Sequence, residues 1–90
     1  MLSLEWTRNS WEEYLWYIDN DKASARKVNR LIREMLRSGR ADEGEGMPEP
    51  LRGDLSGYWS RHIGKKDRLV YRIEEDRLTI YQCGGHYDDK

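Results

Sequence analysis

Apolar side chains recur at helical spacing between residues 28 and 36, where Val28, Leu31, Ile32, Met35 and Leu36 form one stripe. At about 100° per residue, Arg26, Arg30, Arg33 and Arg37 fall on the opposite face. This predicts a strongly amphipathic helix, which Asp21 can cap. Upstream, Trp11, Tyr14, Leu15 and Ile18 recur at i, i+3, i+4 and i+7, and Ser10 with Glu13 fits a capping box. They predict a first helix ending near residues 19–20. Two helices joined by so few residues are expected to pack as an antiparallel hairpin. Their shared apolar face must then be covered by another part of the chain.

A sheet is the expected cover. Residues 2–6 alternate apolar and polar side chains, the period-2 sign of a half-buried strand. Residues 58–63, 68–74 and 78–83 are aromatic and β-branched runs separated by Gly64-Lys65-Lys66-Asp67 and Glu75-Asp76-Arg77, which predicts an antiparallel meander. In the middle run Leu69, Tyr71 and Ile73 share one face, and Arg68, Val70 and Arg72 share the other, less buried one. Residues 39–50 hold three glycines, two prolines and a run of acids, and are expected to be a loop. The fold class is therefore α+β, a twisted antiparallel-rich sheet packed on an N-terminal helix hairpin.

Ninety residues suit one domain spanning 1–90. Charged residues at 37% would suit disorder, but four tryptophans and six tyrosines supply large buriable surface. One cysteine allows no intrachain disulfide, and neither a leader nor an apolar run near 18 residues is present, so a soluble cytoplasmic protein without membrane contact is expected. The formal net charge of -1 conceals a pattern: Lys22, Arg26, Lys27, Arg30, Arg33, Arg37 and Arg40 face only Glu34, and residues 41–49 then carry acids alone. Zinc-type cysteine spacing, phosphate-binding glycine loops and internal repeats are missing from the sequence.

Three separated residues together suggest chemistry on RNA. Cleavage by the RNA's own 2′-hydroxyl needs a base for that proton, positive charge for the phosphorane and an acid for the leaving 5′-oxygen. Glu49, Arg68 and His86 supply those groups in that order. Glu49 lies between two prolines that stiffen it, yet it also reads as one acid of a solvated loop. Arg68 can grip a phosphate through two parallel hydrogen bonds, or pair with Asp67 or Glu74. His86 follows paired glycines and can carry a proton near neutrality, or be an inert tail residue. Tyr87 suits stacking on a base or anchoring the tail. Arg52, Arg61 and Lys65 are candidate RNA contacts of equal ambiguity, and the helical arginines are either a solvated face or a phosphate-tracking surface for ribosomal RNA. Trp6, Trp11, Trp16 and Trp59 read as packing residues, Cys83 as a buried strand residue and His62 as an ordinary strand histidine. A carboxylate beside a guanidinium is a weak base at neutral pH. Activity is therefore expected to be weak in the free protein and full only when a larger partner holds RNA against the site.

The strings Pro48-Glu49-Pro50-Leu51, Leu55-Ser56-Gly57-Tyr58-Trp59-Ser60-Arg61, Arg68-Leu69-Val70-Tyr71 and His86-Tyr87 resemble the YoeB/Txe toxins of the RelE/ParE superfamily. The likeness runs through nearly the whole chain. It implies a microbial RNase-like fold and an endoribonuclease that cuts mRNA in the ribosomal A site, with no cofactor and no metal. It also implies inhibition by a YefM-type antitoxin and allows a homodimer. The family's catalytic glutamate, arginine and histidine fall on Glu49, Arg68 and His86, followed by Tyr87. Two departures stand out: Arg52 where the family pattern has lysine, and His62 where it has a second arginine. The resemblance leaves two rivals, a gyrase-directed binding toxin and an inactive relic that only binds its antitoxin; gyrase-directed members lack the Glu, Arg and His set.

Overall fold

Asp21 joins and caps two helices. Its backbone N–H donates to Tyr17 O at 2.8 Å, closing α1 (Arg8–Asn20), and its carboxylate accepts from Ser24 N at 3.1 Å, opening α2 (Lys22–Ser38). A single linking residue forces the antiparallel hairpin that the sequence predicts. Around it, the computed structural model, which describes residues 1–84, places β1 (Ser3–Trp6), β2 (Glu49–Pro50), a 3₁₀ turn (Gly53–Leu55), β3 (Trp59–His62), β4 (Arg68–Glu74) and β5 (Arg77–Cys83). The sheet order is β1-β5-β4-β3-β2. The β3, β4 and β5 strands form the expected meander, whereas β1 joins β5 in parallel, with Ser3 opposite Arg77 and Trp6 opposite Ile80, so the sheet is mixed. Glu49 and Pro50, expected within a loop, form a short edge strand opposite Ser60 and Trp59; an edge is where a strand tolerates proline. None of the described helices is long and apolar enough to cross a membrane.

The α2 stripe packs as predicted. Val28, Leu31 and Met35 are fully buried against Leu69, Tyr71, Leu78, Ile80 and Cys83 of the sheet's helix-facing side. The α1 face differs from expectation. Trp11 and Ile18 are exposed, and the buried positions are Ser10, Glu13 and Tyr17. Thr7, rather than Ser10, caps the helix by accepting from Ser10 N at 3.1 Å. Ser10 and Glu13 are consumed by the sheet instead: Ser10 Oγ donates to Ile80 O at 2.7 Å, and Glu13 Oε1 accepts from Cys83 N at 2.7 Å. Buried backbone groups must be paired, and here two α1 side chains pair those of β5. A residue pattern that mimics a local cap is in fact a set of tertiary contacts.

The β5 backbone needs this help because it bulges. Val70 pairs with Gln82 but Tyr71 pairs with Ile80, leaving Tyr81 as an extra residue. One extra residue reverses the strand's alternation, so Cys83 rather than Gln82 returns to the core. Desolvation pushes the Cys83 thiol well above its ordinary value. Burial, reinforced by a hydrogen bond to Asp67 at 3.0 Å, does the same to the Tyr17 phenol.

Arg61 is fully buried on the helix-facing side of β3. Its Nε donates to Tyr71 Oη at 2.8 Å and its Nη1 to Glu34 Oε1 at 3.1 Å. Its Nη atoms also donate to the carbonyls of Arg40 at 3.1 Å, Glu43 at 2.7 Å and Glu45 at 3.2 Å, while Tyr71 Oη donates to Ala41 O at 2.6 Å. The loop after α2 is thereby wrapped around one guanidinium. Arg61→Ala is expected to lower unfolding free energy by about 3 kcal/mol, the low end for breaking a buried ionic contact. Tyr71→Phe should cost about 2 kcal/mol by leaving two buried groups short of a partner. Urea denaturation of both variants measures this, and a loss below about 1 kcal/mol for Arg61→Ala would show that the guanidinium does not hold the loop.

Candidate active site on the open face of the sheet

Strand alternation turns one set of side chains away from the helices. Cross-strand partners share a face, so the register Glu49–Ser60, Ser60–Val70 and Val70–Gln82 lays one row over four strands, with His62 beside Arg68 in the next. Val70, 5% exposed yet outside the helix-side core, is the apolar floor of this face. Pro48 and Pro50 hold Glu49 in the extended conformation that the β2 edge requires. Arg68 Nη1 donates to Glu49 Oε1 at 3.1 Å and to Ser60 Oγ at 3.4 Å. A carboxylate and a guanidinium distant in sequence thus meet on a solvent-facing surface, with side chains 59% and 42% exposed. At the far end of the face the Arg72 guanidinium lies 5.4 Å from the Tyr58 ring centre, and Tyr58 packs 5.2 Å from Tyr81.

The structure brings Glu49 and Arg68 together and encloses Arg61 in the core. Arg52, exposed, precedes the 3₁₀ turn, and Lys65, exposed, lies in the β3–β4 connection. Arg61, expected beside RNA, is on the core side with its guanidinium enclosed, so it has no surface to offer RNA. Strand parity carries the correction: Trp59 and Arg61 pair with Tyr71 and Leu69 on the helix side, while Ser60 and His62 point outward. His62, taken as an ordinary strand histidine, is half-buried as the cross-strand partner of Arg68. Tyr58, Gln82 and Tyr81 carry no site signal of their own in the sequence. Parity from Ser60 and Val70 would have found the first two; the bulge that exposes Tyr81 has no local signal. His86 and Tyr87 lie outside the described residues.

Arg26, Arg30, Arg33 and Arg37 all occupy the exposed side of α2. Arg30 is bound by Glu45 through contacts of 2.8 and 2.6 Å, which hold the Glu45 carboxyl below its usual value. Among the described residues no ion pair engages Arg26, Arg33 or Arg37.

A helix hairpin on a mixed five-stranded sheet is an architecture this chain shares with solved bacterial toxins. The YoeB/ParE toxin from Agrobacterium tumefaciens has a similar structure, with a TM-score of 0.87 and 42% identity covering 96% of this chain and 100% of that one. The family model for the YoeB-like toxin of bacterial type II toxin-antitoxin systems matches residues 6–87, and the chain belongs to that family. It is 43% identical over 86 residues to Toxin YoeB of Escherichia coli (strain K12), covering 96% of this chain and 100% of the relative. A heterotetrameric YoeB-YefM toxin-antitoxin complex from Staphylococcus aureus also resembles it, with a TM-score of 0.86 and 37% identity over 97% of this chain and 99% of that one. The YoeB of the same organism is also known as a dimer.

Because the Glu49–Arg68 pair is solvent-exposed, its contribution to stability should be small. Arg68→Ala and Glu49→Ala are each expected to shift unfolding free energy by less than about 1 kcal/mol. Denaturation midpoints check this, and a larger loss would assign the pair to holding β2 in place.

Proposed function

We propose that this chain is a ribosome-dependent mRNA endoribonuclease that cuts in the A site and so stops translation. The observation that carries the reading is the convergence of Glu49 and Arg68, 3.1 Å apart, on the exposed face of the sheet. Glu49 takes the proton of the 2′-hydroxyl, whose oxygen attacks the adjacent phosphorus. The bond to the 5′-oxygen then breaks as His86 returns a proton to it, leaving a cyclic phosphate and a 5′-hydroxyl. Arg68 stabilises the charge that develops on the phosphorane. In the free protein Arg68 is engaged by Glu49, so an incoming phosphate must displace the carboxylate, which is then released to act as a base. Gly84 N donates to Arg68 O at 2.9 Å, so the last described residue lies against the strand that carries Arg68, two positions before His86. The reading assigns the acid to His86 and RNA contacts to Tyr87, Arg52 and Lys65. The nucleophile is part of the substrate and Arg68 supplies the positive charge, so the reaction needs no metal.

The same reading makes the cytoplasm the place of action and a YefM-type antitoxin the inhibitor. An acidic segment that folds on binding would cover the Arg68 side of the sheet. The ribosome is held by the outer face of α2, where Arg26, Arg33 and Arg37 are exposed and can meet phosphates. A homodimer fits the same family pattern.

Primer extension on a translation extract tests the cleavage directly. Cuts confined to the A-site codon are expected. Glu49→Gln and His86→Ala should each lose about 10²–10⁴-fold in rate, as for removal of a general base or acid, and Arg68→Ala about 10²–10³-fold. Chelator at levels that spare the ribosome should leave the rate unchanged. Intact mRNA, with inhibition of DNA supercoiling instead, would replace this reading with a gyrase-type binder. Separately, Arg33→Glu with Arg37→Glu should weaken cosedimentation with ribosomes and flatten its dependence on salt. Unchanged cosedimentation would place the ribosome elsewhere on the surface.

A further inference from the structure

Tyr81 is 41% exposed, a large aromatic ring at the one position where β5 departs from regular pairing. Its presentation is built from behind. Thr7 Oγ1 donates to Tyr81 O at 3.1 Å, and Ile80 O receives both Ser10 Oγ at 2.7 Å and Thr7 N at 3.0 Å. The start of α1 thus fixes the bulge, and the bulge directs Tyr81 across the sheet onto Tyr58, with ring centres 5.2 Å apart and planes inclined at 51°. Arg72 completes the group, its guanidinium 5.4 Å from the Tyr58 ring centre and oriented by an ion pair with Glu74. Bulges are characteristic devices for re-aiming a side chain beside a functional site.

The cluster lies on the same face as Glu49 and Arg68. Arg68 and Arg72 are four residues apart on one strand, so their Cα atoms are separated by about 13 Å at the usual strand rise, within reach of a short single strand. Between them the floor is formed by Val70 and Ser60, which are 5% and 1% exposed. Aromatic rings together with guanidinium groups are the chemistry by which proteins hold unpaired nucleotides, the rings stacking on bases and the cations meeting phosphates. We propose that Tyr81, supported by Tyr58 and Arg72, forms a base-stacking subsite for an mRNA nucleotide flanking the bond cut at Glu49 and Arg68. The proposal rests on the cleavage reading and adds to it where the neighbouring RNA lies and which side chain grips it. Continuity with the Glu49–Arg68 pair and two guanidiniums on one strand face favour RNA over a peptide as the occupant.

Single-turnover cleavage on programmed ribosomes tests it, using the wild-type chain, Tyr81→Ala and Tyr81→Phe. The mRNAs carry either the normal base or an abasic nucleotide at each position beside the cut. Tyr81→Ala is expected to slow cleavage by roughly 5- to 150-fold, the effect of losing one base-stacking contact, and Tyr81→Phe to restore the rate. One abasic position should slow the wild type by a similar factor and erase its advantage over Tyr81→Ala. Equal rates for wild type and Tyr81→Ala would overturn the subsite while leaving the cleavage reading intact. A deficit that persists at every abasic position would assign Tyr81 a purely structural role. If Tyr81→Ala does not fold, the abasic series on the wild type decides alone, and the absence of any sensitive position overturns the proposal. Weakened binding of the cognate antitoxin with unchanged cleavage would give the platform to a peptide instead. Absence of wild-type cleavage would remove the cleavage reading, and this subsite with it.

Discussion

A single buried cation organises the half of the molecule that carries the site. Arg61 lies on the core side of β3 at 0% exposure, where an unpaired charge would be strongly unfavourable. It is tolerated because Tyr71, Glu34 and loop carbonyls surround it. Satisfying the guanidinium therefore dictates the path of residues 40–45. Glycine is required where that path passes closest. A Cβ at Gly44 would stand 2.6 Å from Arg61 Nη1, and one at Gly46 would stand 3.0 Å from Arg61 Cβ and 3.2 Å from the His62 carbonyl. His62 N then donates to Gly46 O at 2.7 Å, and three residues later the chain becomes β2 and delivers Glu49 opposite Ser60. The position of the proposed base thus traces back to an arginine on the other side of the sheet.

The two faces of the sheet are divided by charge and by a defect. On the inner face the helix hairpin covers aliphatic side chains, and α1 contributes polar groups where β5 loses its regular partners. On the outer face, a small apolar floor is rimmed by arginine, tyrosine and glutamate. The bulge at Tyr81 serves both: it leaves Ile80 and Tyr81 carbonyls for Thr7 and Ser10 to bond, and it exposes an aromatic ring on the outer face. Gly84, with φ of 95°, closes the described chain where a Cβ would overlap Tyr17 Oη. Close packing at the end of β5 is thereby set by α1 as well.

Much of this was legible in the residues. The α2 stripe, Asp21 as its cap, and the alternation of β4 identified a helix hairpin and a sheet with one arginine-bearing face. Glu49 and Arg68 were legible as candidate site residues by residue type and by family likeness, and the geometry brings them within hydrogen-bonding distance. The misreadings share one cause. Ser10 and Glu13 resemble a cap, and Arg61 resembles a surface cation, because side-chain chemistry alone does not disclose its partner. Each has a partner distant in sequence: Ser10 and Glu13 bond β5, seventy residues later, and Arg61 bonds a loop that precedes it.

What the sequence determined by itself was therefore local: periodicity, proline stiffening, helix capping and the supply of titratable groups follow from short-range sterics and from the chemistry of single side chains. Only the tertiary structure decided which face each group occupies. The parallel addition of β1, the bulge at Tyr81, the enclosure of Arg61 and the meeting of Glu49 with Arg68 all depend on strand register. Register is settled when the whole chain must bury its apolar stripes and pair its buried polar groups at once, a condition that no short segment contains.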